Sequence, residues 1–420
     1  MTTVAYIANE FPSPLEPYVM DEINELRRRG VKVICCSGKR VSPDSLSLAE
    51  RVLWKETLYC EPMSDDELMR AGRQLWRDRR NASWVLKALV TDAHASIRRR
   101  IRTFGHTLMG VALAKRLAPL GVDHIHCHHG YFASWMALVA ADCLGIEFSF
   151  TLHGSDLLRR ADFLGSKLRA CIFCATVSEF NRQYLLRHYP ETPPEKVVLR
   201  RLGVDRLPVS QVKSASLGQE HRPFCLLAVG RLHPVKDFSF LIQACADLRR
   251  QGVSFLCWIV GEGPERNALS RQIIKLGLHG HVHLVGHIPR ANVSEYYRQA
   301  DLVVMTSKSE GIPVVLMEAM SHEKLVLAPN ITGIPELVEH QATGFLYEPG
   351  SRESFVSLVR WIHDNKRELE DVGRAAASKV ADSYHRQHNV RLFADSFLAR
   401  IAKPERDYAY PLLQQVRLSV

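Results

Sequence analysis

"ADLVVMTSKSEGIPVVLMEAM", residues 300–320, decides the fold. An apolar run closes in small polar residues, a loop from Lys308 to Ile312 comes next, and Pro313 opens a second apolar stretch that reads as a helix through Met320. A short strand that turns directly into a helix is the repeating unit of a parallel α/β sheet. In such sheets ligands collect outside the carboxyl ends of the strands. Two carboxylates flank this turn, Glu310 on the loop and Glu318 about one and a half turns into the helix. A carboxylate only accepts hydrogen bonds, so hydroxyl groups suit it, whereas the free N–H groups at a helix start suit a phosphate. Ribose hydroxyls for one glutamate and sugar hydroxyls for the other, on either side of a diphosphate, satisfy both.

The same grammar precedes this stretch three times. "PFCLLAVG" (223–230) is followed by a helical pattern from Asp237 to Gln251, "SFLCWIVG" (254–261) by one from Pro264 to Leu276, and "HVHLVGHI" (281–288) by a short helix. At the first strand end Gly230 allows close approach to the backbone, and Arg231 and Lys236 bring two positive charges to one place. Either residue alone reads as a surface salt bridge, but the pair beside a glycine suits a diphosphate. Gly261 and Gly263 form a glycine turn that opens the next helix, which reads either as structural only or as backbone offered to a flat ligand. After the third strand, the backbone at His287 and Ile288 is placed to read a nucleobase edge.

Upstream, strands are expected at Thr3–Ala8, Lys32–Ser37, His124–Cys127, Phe148–Leu152 and Ala175–Ser178, with helices between them. A chain of 420 residues exceeds one ordinary core. The polar, turn-rich stretch from Val204 to Pro223 marks a hinge, which gives domains at 1–205 and 206–383 and a C-terminal helix and tail at 384–420 that packs back on one of them. The expected architecture is two doubly wound, Rossmann-like α/β domains facing each other across a cleft. In "TLHGSDLL" (151–158) His153 stands at a strand end beside a glycine, which favours a functional role, and Asp156 is placed to cap the helix or turn after it. "DHIHCHHG" (123–130) resembles a metal site, but His124, His126 and His128 alternate along a strand and no Cys, Asp or Glu has the usual ligand spacing, so no metal is expected.

Composition removes several classes. Hydrophobic residues at 46% and charged residues at 24% exclude long disorder. The N-terminal "MTTVAYIANEF" reads as a strand and lacks the parts of a secretion signal. The most apolar long window, Trp135 to Leu152, is broken by Asp142 and Glu147, so no spanning helix is expected. Ten cysteines without a repeating spacing fit a reducing cytosol, and Cys171 and Cys174 read as a buried strand rather than a redox pair. The formal charge of +10 is concentrated. Between Arg70 and Arg102 ten basic residues (Arg70, Arg73, Arg77, Arg79, Arg80, Lys87, Arg98, Arg99, Arg100, Arg102) face two acidic ones (Asp78, Asp92), with Trp76 and Trp84 interleaved. Two readings fit: a surface for anionic lipid headgroups, or solvated helices lying on the protein's own core. No nucleic-acid motif accompanies the charge.

Taken together, "SEGIPVVLMEAM" (309–320), "GIPELVEHQATGFLYEPG" (333–350), "VGRLHPVKD" (229–237) and "TLHGSDL" (151–157) resemble the retaining GT-B glycosyltransferases of family 4, whose E-x7-E region the first segment matches. "ANEFPSPLEPYVMDEINELRRRGVKVICCSG" (8–38) is similar to the branch acting in colanic acid, exopolysaccharide and lipopolysaccharide synthesis. The resemblance implies a nucleotide-diphosphate sugar donor on the C-terminal domain and an acceptor on the N-terminal one. It also implies retention of configuration, no metal or other cofactor, and work at the cytoplasmic membrane face. By position, Arg231 and Lys236 would hold the diphosphate, Glu310 the transferred sugar and Glu318 the ribose. Backbone at Gly311, Ile312, Pro313, Val314 and Val315 would meet phosphate and sugar, and His153 would lie near the reacting carbon or the sugar's 6-position. No residue is placed as a double-displacement nucleophile, which implies front-side attack.

Two segments depart from the pattern. "SPLEPY" (13–18) replaces a glycine pair, and His322 and Glu323 stand where a small residue and a glycine are common. The expected function is a hexosyltransferase-type enzyme extending a lipid-linked saccharide, cytoplasmic and peripheral on the inner face of the plasma membrane. The alternatives are a transferase with a soluble small-molecule acceptor and a non-catalytic partner subunit. A glycoside hydrolase also uses two carboxylates but has no need of a diphosphate clamp.

Overall fold

The computed structural model describes residues 1–13, 16–43, 46–77, 83–91, 96–158, 161–205 and 222–402. Strands β1 (Thr3–Glu10), β2 (Lys32–Lys39), β3 (Leu58–Tyr59), β4 (His124–His128), β5 (Glu147–Leu152), β6 (Phe173–Thr176) and β7 (Val197–Leu199) pair in parallel in the order β3-β2-β1-β4-β5-β6-β7. A second parallel sheet contains β8 (Phe224–Val229), β9 (Phe255–Val260), β10 (Val282–Gly286), β11 (Leu302–Val304), β12 (Leu325–Pro329) and β13 (Phe345–Tyr347), in the order β10-β9-β8-β11-β12-β13. Each sheet has the doubly wound pattern, in which the direction of winding reverses between two central strands, β1 and β4 in one and β8 and β11 in the other. Loops diverge at such a reversal and leave room for a ligand at the strand ends.

The first sheet is flanked by α1 (Pro17–Arg28), α2 (Leu48–Glu56), α3 (Asp65–Arg77), α4 (Ser83–Thr91), α5 (Ile97–Leu117), α6 (Phe132–Leu144), α7 (Ser155–Leu158), α8 (Leu164–Ala170) and α9 (Glu179–His188). The second carries α10 (Phe238–Arg250), α11 (Arg266–Lys275), α12 (Arg290–Gln299), α13 (Val314–Ser321), α14 (Ile334–Leu337), α15 (Arg352–Asn365) and α16 (Glu370–Ser383), and α17 (Arg386–Ile401) ends the described chain. One compact unit holds residues 1–177, 181–200 and the described residues from Val390 on; the other holds 178–180 and 201–389.

Side-chain alternation along β4 divides the first core. Ile125 and Cys127 join the cluster under α5 and α6, while the rings of His124 and His126 pack edge-on against Phe397 of α17 at 5.6 and 5.3 Å. Phe393, Ala394 and Phe397 complete a second apolar layer with Val4, Tyr6, Ile23 and Phe173. Trp84 of α4 lies against Trp135 at 5.8 Å, and its indole N–H donates to Asp142 at 3.1 Å. This part of the basic region therefore lies on the protein's own core. Cys171 and Cys174 are buried and free.

The structure shifts several boundaries. The strand expected at Ala175–Ser178 begins two residues earlier, because Phe173 to Thr176 pair with Ser149 to Leu152 of β5. Strands β3 and β7, with two and three residues, are too short to show a periodic pattern. Pro313 is the extended N-cap of α13 rather than its first residue, and Pro264 precedes Glu265, the N-cap of α11. Most of the hinge at 204–223, the tail from 403, and residues 78–82 and 92–95 of the basic region lie outside the described residues.

Helix α13 ends in a Schellman arrangement: Glu323 N–H donates to Met320 O at 2.9 Å and Lys324 N–H to Ala319 O at 3.1 Å. Closing it requires Glu323 to adopt φ of 55°. The left-handed region costs an L-residue about 1–2 kcal/mol, which accounts for the glycine usual here in the similar family. Glu323→Gly is expected to stabilise the protein by roughly 1 kcal/mol after the unfolded-state entropy of glycine is subtracted. A urea melt with unchanged or lower midpoint would contradict this account of the cap.

Candidate functional site

In the second unit, adjacent strands β8 and β11 bring the loop after Gly230 beside the loop after Val304. The two loops are laced together: Thr306 Oγ1 donates to Lys236 O at 2.8 Å, and Lys308 N–H to Val235 O at 2.8 Å. Lys236 Nζ sits 2.6 Å from Glu310 Oε1, so two residues assigned separately to diphosphate and sugar form an ion pair. Glu310 is fixed from behind by Thr332, whose hydroxyl donates to the Glu310 carbonyl at 2.7 Å. Arg231 is exposed, with no carboxylate in ion-pair range among the described residues.

Helix α13 begins at this place without a side-chain cap. Pro313 O accepts from Leu316 N–H at 3.1 Å, while the N–H groups of Val314 and Val315 have no acceptor among the described residues. Uncapped N–H groups and the positive end of the helix dipole favour an anion. Lower on the helix, Tyr297 of α12 donates its hydroxyl to Glu318 Oε2 at 3.0 Å and orients that carboxylate.

Gly261 and Gly263 have φ of 142° and 158°, and a Cβ on them would lie 2.0 Å from Gly230 O and 2.4 Å from Leu232 O. Their small size is required by the neighbouring loop, independent of any ligand. His287 and Ile288 come after β10, which β9 separates from β8, so they lie two strands out from Arg231.

In the first unit, the ends of β4 and β5 carry a histidine cluster. His153 Nε2 is 2.9 Å from His128 Nδ1, and His128 Nε2 is 3.1 Å from Glu22 Oε2. The Tyr6 hydroxyl also donates to Glu22, and Arg200 pairs with the other Glu22 oxygen at 2.5 Å. Tyr18 stacks on His153 with ring centroids 4.7 Å apart. Asp156 does not cap the segment after it. Its carboxylate accepts from the N–H groups of His153 (3.0 Å), Gly154 (2.8 Å) and Gly130 (2.9 Å), so it holds the turn that precedes it.

His129 has φ of 69° and lies between two acids, its Nε2 2.7 Å from Glu16 Oε1 and its Nδ1 3.6 Å from Asp156 Oδ2. Burial alone would lower its pKa; Glu16 and Asp156 outweigh that and raise it to about 10. Burial would raise the Asp156 carboxyl, but the His129 cation and backbone donors hold it well below the ordinary range. Burial, reinforced by the His129 charge, holds His128 and His153 well below theirs, which leaves both neutral. One imidazolium thus sits beside two neutral imidazoles.

Sequence spacing hid Glu22, Arg200 and Tyr18, which reach this cluster from α1 and from the end of β7. It also hid the grouping of Glu22, His126 and His128, whose ligand-type atoms lie within 4.8 Å of one another. These atoms already have protein partners: His126 meets Ser149 Oγ at 2.8 Å and Thr151 Oγ1 at 3.1 Å, and Glu22 is held by Arg200, Tyr6 and His128. The departing segment "SPLEPY" supplies Glu16 to His129 and Tyr18 to His153, a signal present in the sequence without its target.

Comparison with known proteins agrees with both halves. The model described as Glycosyltransferase Family 4 matches residues 15–206, and that of Glycosyl transferases group 1 matches residues 210–379. The amylovoran biosynthesis glycosyltransferase AmsK of Erwinia amylovora is 31% identical over 216 residues, 50% of this chain and 52% of AmsK. The putative colanic acid biosynthesis glycosyltransferase WcaL of Escherichia coli is 33% identical over 204 residues, 46% of this chain and 49% of WcaL. The chain thus spans about half the length of the curated relatives it matches. Among solved structures, Anabaena HepE in complex with UDP and glucose superimposes with a TM-score of 0.68 at 18% identity, over 95% of this chain and 100% of HepE. Sucrose-phosphate synthase of Thermosynechococcus elongatus gives 0.72 at 17% identity, over 95% and 100%; at such identities the likeness is one of fold, and the fold is GT-B. With one family model over each half, the chain belongs to the group 1, family 4 glycosyltransferases.

Proposed function

We propose that the second unit binds a nucleotide-diphosphate sugar at the start of α13 and that the chain transfers the sugar, with retention, to a lipid-linked saccharide in exopolysaccharide assembly. The observation that carries this reading is the uncapped start of α13 beside exposed Arg231 and the Lys236–Glu310 pair. A diphosphate answers all three: it accepts from Val314 and Val315, takes the Arg231 fork and draws Lys236 away from Glu310. Glu310 is then released to accept from hydroxyls of the sugar, and Glu318 from the ribose. As the bond from C1 to the diphosphate breaks, the acceptor oxygen bonds C1 on the same face and its proton passes to the departing phosphate oxygen. Arg231, Lys236 and the helix start stabilise the charge that develops there, so no metal is invoked. The UDP and glucose in the HepE complex and the amylovoran biosynthesis in the name of AmsK support the substrate classes.

Contact with an anionic membrane surface is part of the same proposal. Ile97, Ile101 and Phe104 recur at i, i+4 and i+7 and line one exposed face of α5, flanked by exposed Arg98 and Arg102. On α3, Trp76 is 72% exposed with Met69, Arg73 and Arg77 beside it. Each arginine near an anionic surface contributes roughly 1 kcal/mol, and the apolar side chains add burial at the headgroup boundary. No helix among the described residues is long and apolar enough to cross a membrane, so attachment would be peripheral.

A panel of UDP-, GDP- and ADP-sugars is expected to contain at least one that raises the melting temperature, and Arg231→Ala is expected to remove the shift. Glu310→Ala should lower transfer by roughly 10²-fold or more with the melting temperature retained; full activity in that variant would refute the site, whereas no transfer by the parent protein would favour a non-catalytic subunit. The protein should sediment with vesicles containing phosphatidylglycerol and not with pure phosphatidylcholine, and Ile97→Asp with Ile101→Asp should abolish this. Equal sedimentation of the double variant would rule out this face as the membrane contact, and no sedimentation of the parent protein would favour a soluble acceptor.

A further inference from the structure

We infer that Glu22 and His128 are positioning residues that fix the tautomer of His153, so that His153 offers its Nδ1 as a hydrogen-bond acceptor to the substrate. The inference begins at a buried ion pair. Glu22 and Arg200 are almost fully buried, and their side chains meet at 2.5 Å. With Arg200 on one oxygen and the Tyr6 hydroxyl on the other, Glu22 is a carboxylate and can only accept. His128 Nε2 lies 3.1 Å from Glu22 Oε2 and 3.3 Å from the Tyr6 hydroxyl, whose own proton is given to Glu22, so the nitrogen must carry the proton of its contact with Glu22. A neutral imidazole has a single N–H, so His128 Nδ1 is a bare acceptor. It lies 2.9 Å from His153 Nε2, which must then donate. The same rule, applied once more, leaves His153 Nδ1 without a proton.

Three features hold this direction of donation. Asp156 binds the backbone N–H of His153 at 3.0 Å and fixes the turn that carries the ring. Tyr18 stacks on the ring face at 4.7 Å, which restricts its rotation. The His129 ring lies 4.5 Å from that of His153 and, held as a cation by Glu16 and Asp156, opposes a second proton on its neighbour. His153 is partly exposed, and its Nδ1 has no protein partner among the described residues. Neutral imidazole with a bare, accessible nitrogen at a strand end suits a hydroxyl donor, the commonest group on a saccharide. Fixing the tautomer in advance spares the reaction the cost of selecting it.

The choice of substrate rests on the sugar-transfer reading; the tautomer does not, and the two can be tested apart. In protein labelled with ¹⁵N-histidine, two-bond correlation spectra distinguish bare from protonated ring nitrogens, and His153 is assigned by the signal lost in His153→Gln. The parent protein should show His153 with Nε2 protonated and Nδ1 bare. A protonated Nδ1 would overturn the relay whatever the activity. In Glu22→Gln the amide oxygen turns to Arg200 and the NH₂ to His128, which reverses each donor, so His153 should switch to Nδ1–H. An unchanged tautomer in the folded variant would also overturn it. Should Glu22→Gln fail to fold, His128→Leu is read instead: it removes the acceptor for His153 Nε2–H, so mixed tautomers of His153 are expected, and a single Nε2–H form would contradict the relay. With a turned-over sugar nucleotide in hand, Glu22→Gln should lower kcat about tenfold, the worth of one hydrogen bond, with the donor KM little changed. A tenfold rise in KM at constant kcat would assign Glu22 to binding and overturn its positioning role.

Discussion

Helix α13 starts with N–H groups that nothing in the described chain satisfies, and the structure around it is consistent with their being kept that way. Backbone donors at a helix start are ordinarily met by Ser, Thr, Asp or Asn, and replacing such a cap costs about 1 kcal/mol. Here Pro313 holds the N-cap position and supplies no side-chain acceptor. The chain could have placed Glu310 over those donors, since acidic groups are favourable at this end of a helix. Instead Lys236 holds Glu310 to one side at 2.6 Å, and Thr332 fixes the carbonyl behind it. An acid, a base and an open helix end are thereby stored within one short loop region, in a state that a bound dianion would rearrange.

The first unit solves an opposite problem. Four histidines, two glutamates, an arginine, an aspartate and two tyrosines are gathered at the end of β4, where burial penalises every charge. The cluster tolerates this by pairing its charges locally: Glu22 with Arg200, and His129 with Glu16 and Asp156. The remaining rings stay neutral. Breaking one side of such a pair leaves a buried charge uncompensated, typically at 3–5 kcal/mol, so these contacts also fix the loops at the ends of β4 and β5. The left-handed backbone at His129 belongs to this arrangement, since strained residues persist only where surrounding contacts over-determine them.

Much of this is legible in the sequence for physical reasons. Buried parallel strands read as apolar runs, and strand-to-helix turns as glycine or proline, so the two doubly wound sheets and the residues at β8 and β11 can be read directly. The grouping of Arg231, Lys236 and Glu310 comes from strand ends alone. Their resting contact does not, because a side-chain ion pair across loops 74 positions apart has no sequence signature. The role of Asp156 is ambiguous in sequence for a similar reason: a carboxylate can serve the turn before it as well as the helix after it. Gly261 and Gly263 are visible, but the neighbouring backbone that demands them is not. Glu22 and Arg200 give no signal, since one lies mid-helix and the other comes just after an edge strand of three residues.

The claim on which the account depends is that a pyrophosphate displaces Glu310 from Lys236 and takes the open end of α13. A crystal structure with a bound nucleotide-diphosphate sugar tests it most directly. The account predicts phosphate oxygens about 3 Å from the N–H groups of Val314 and Val315 and from Arg231, with Lys236 turned to the diphosphate. A diphosphate bound elsewhere, with the Lys236–Glu310 pair intact, would contradict it.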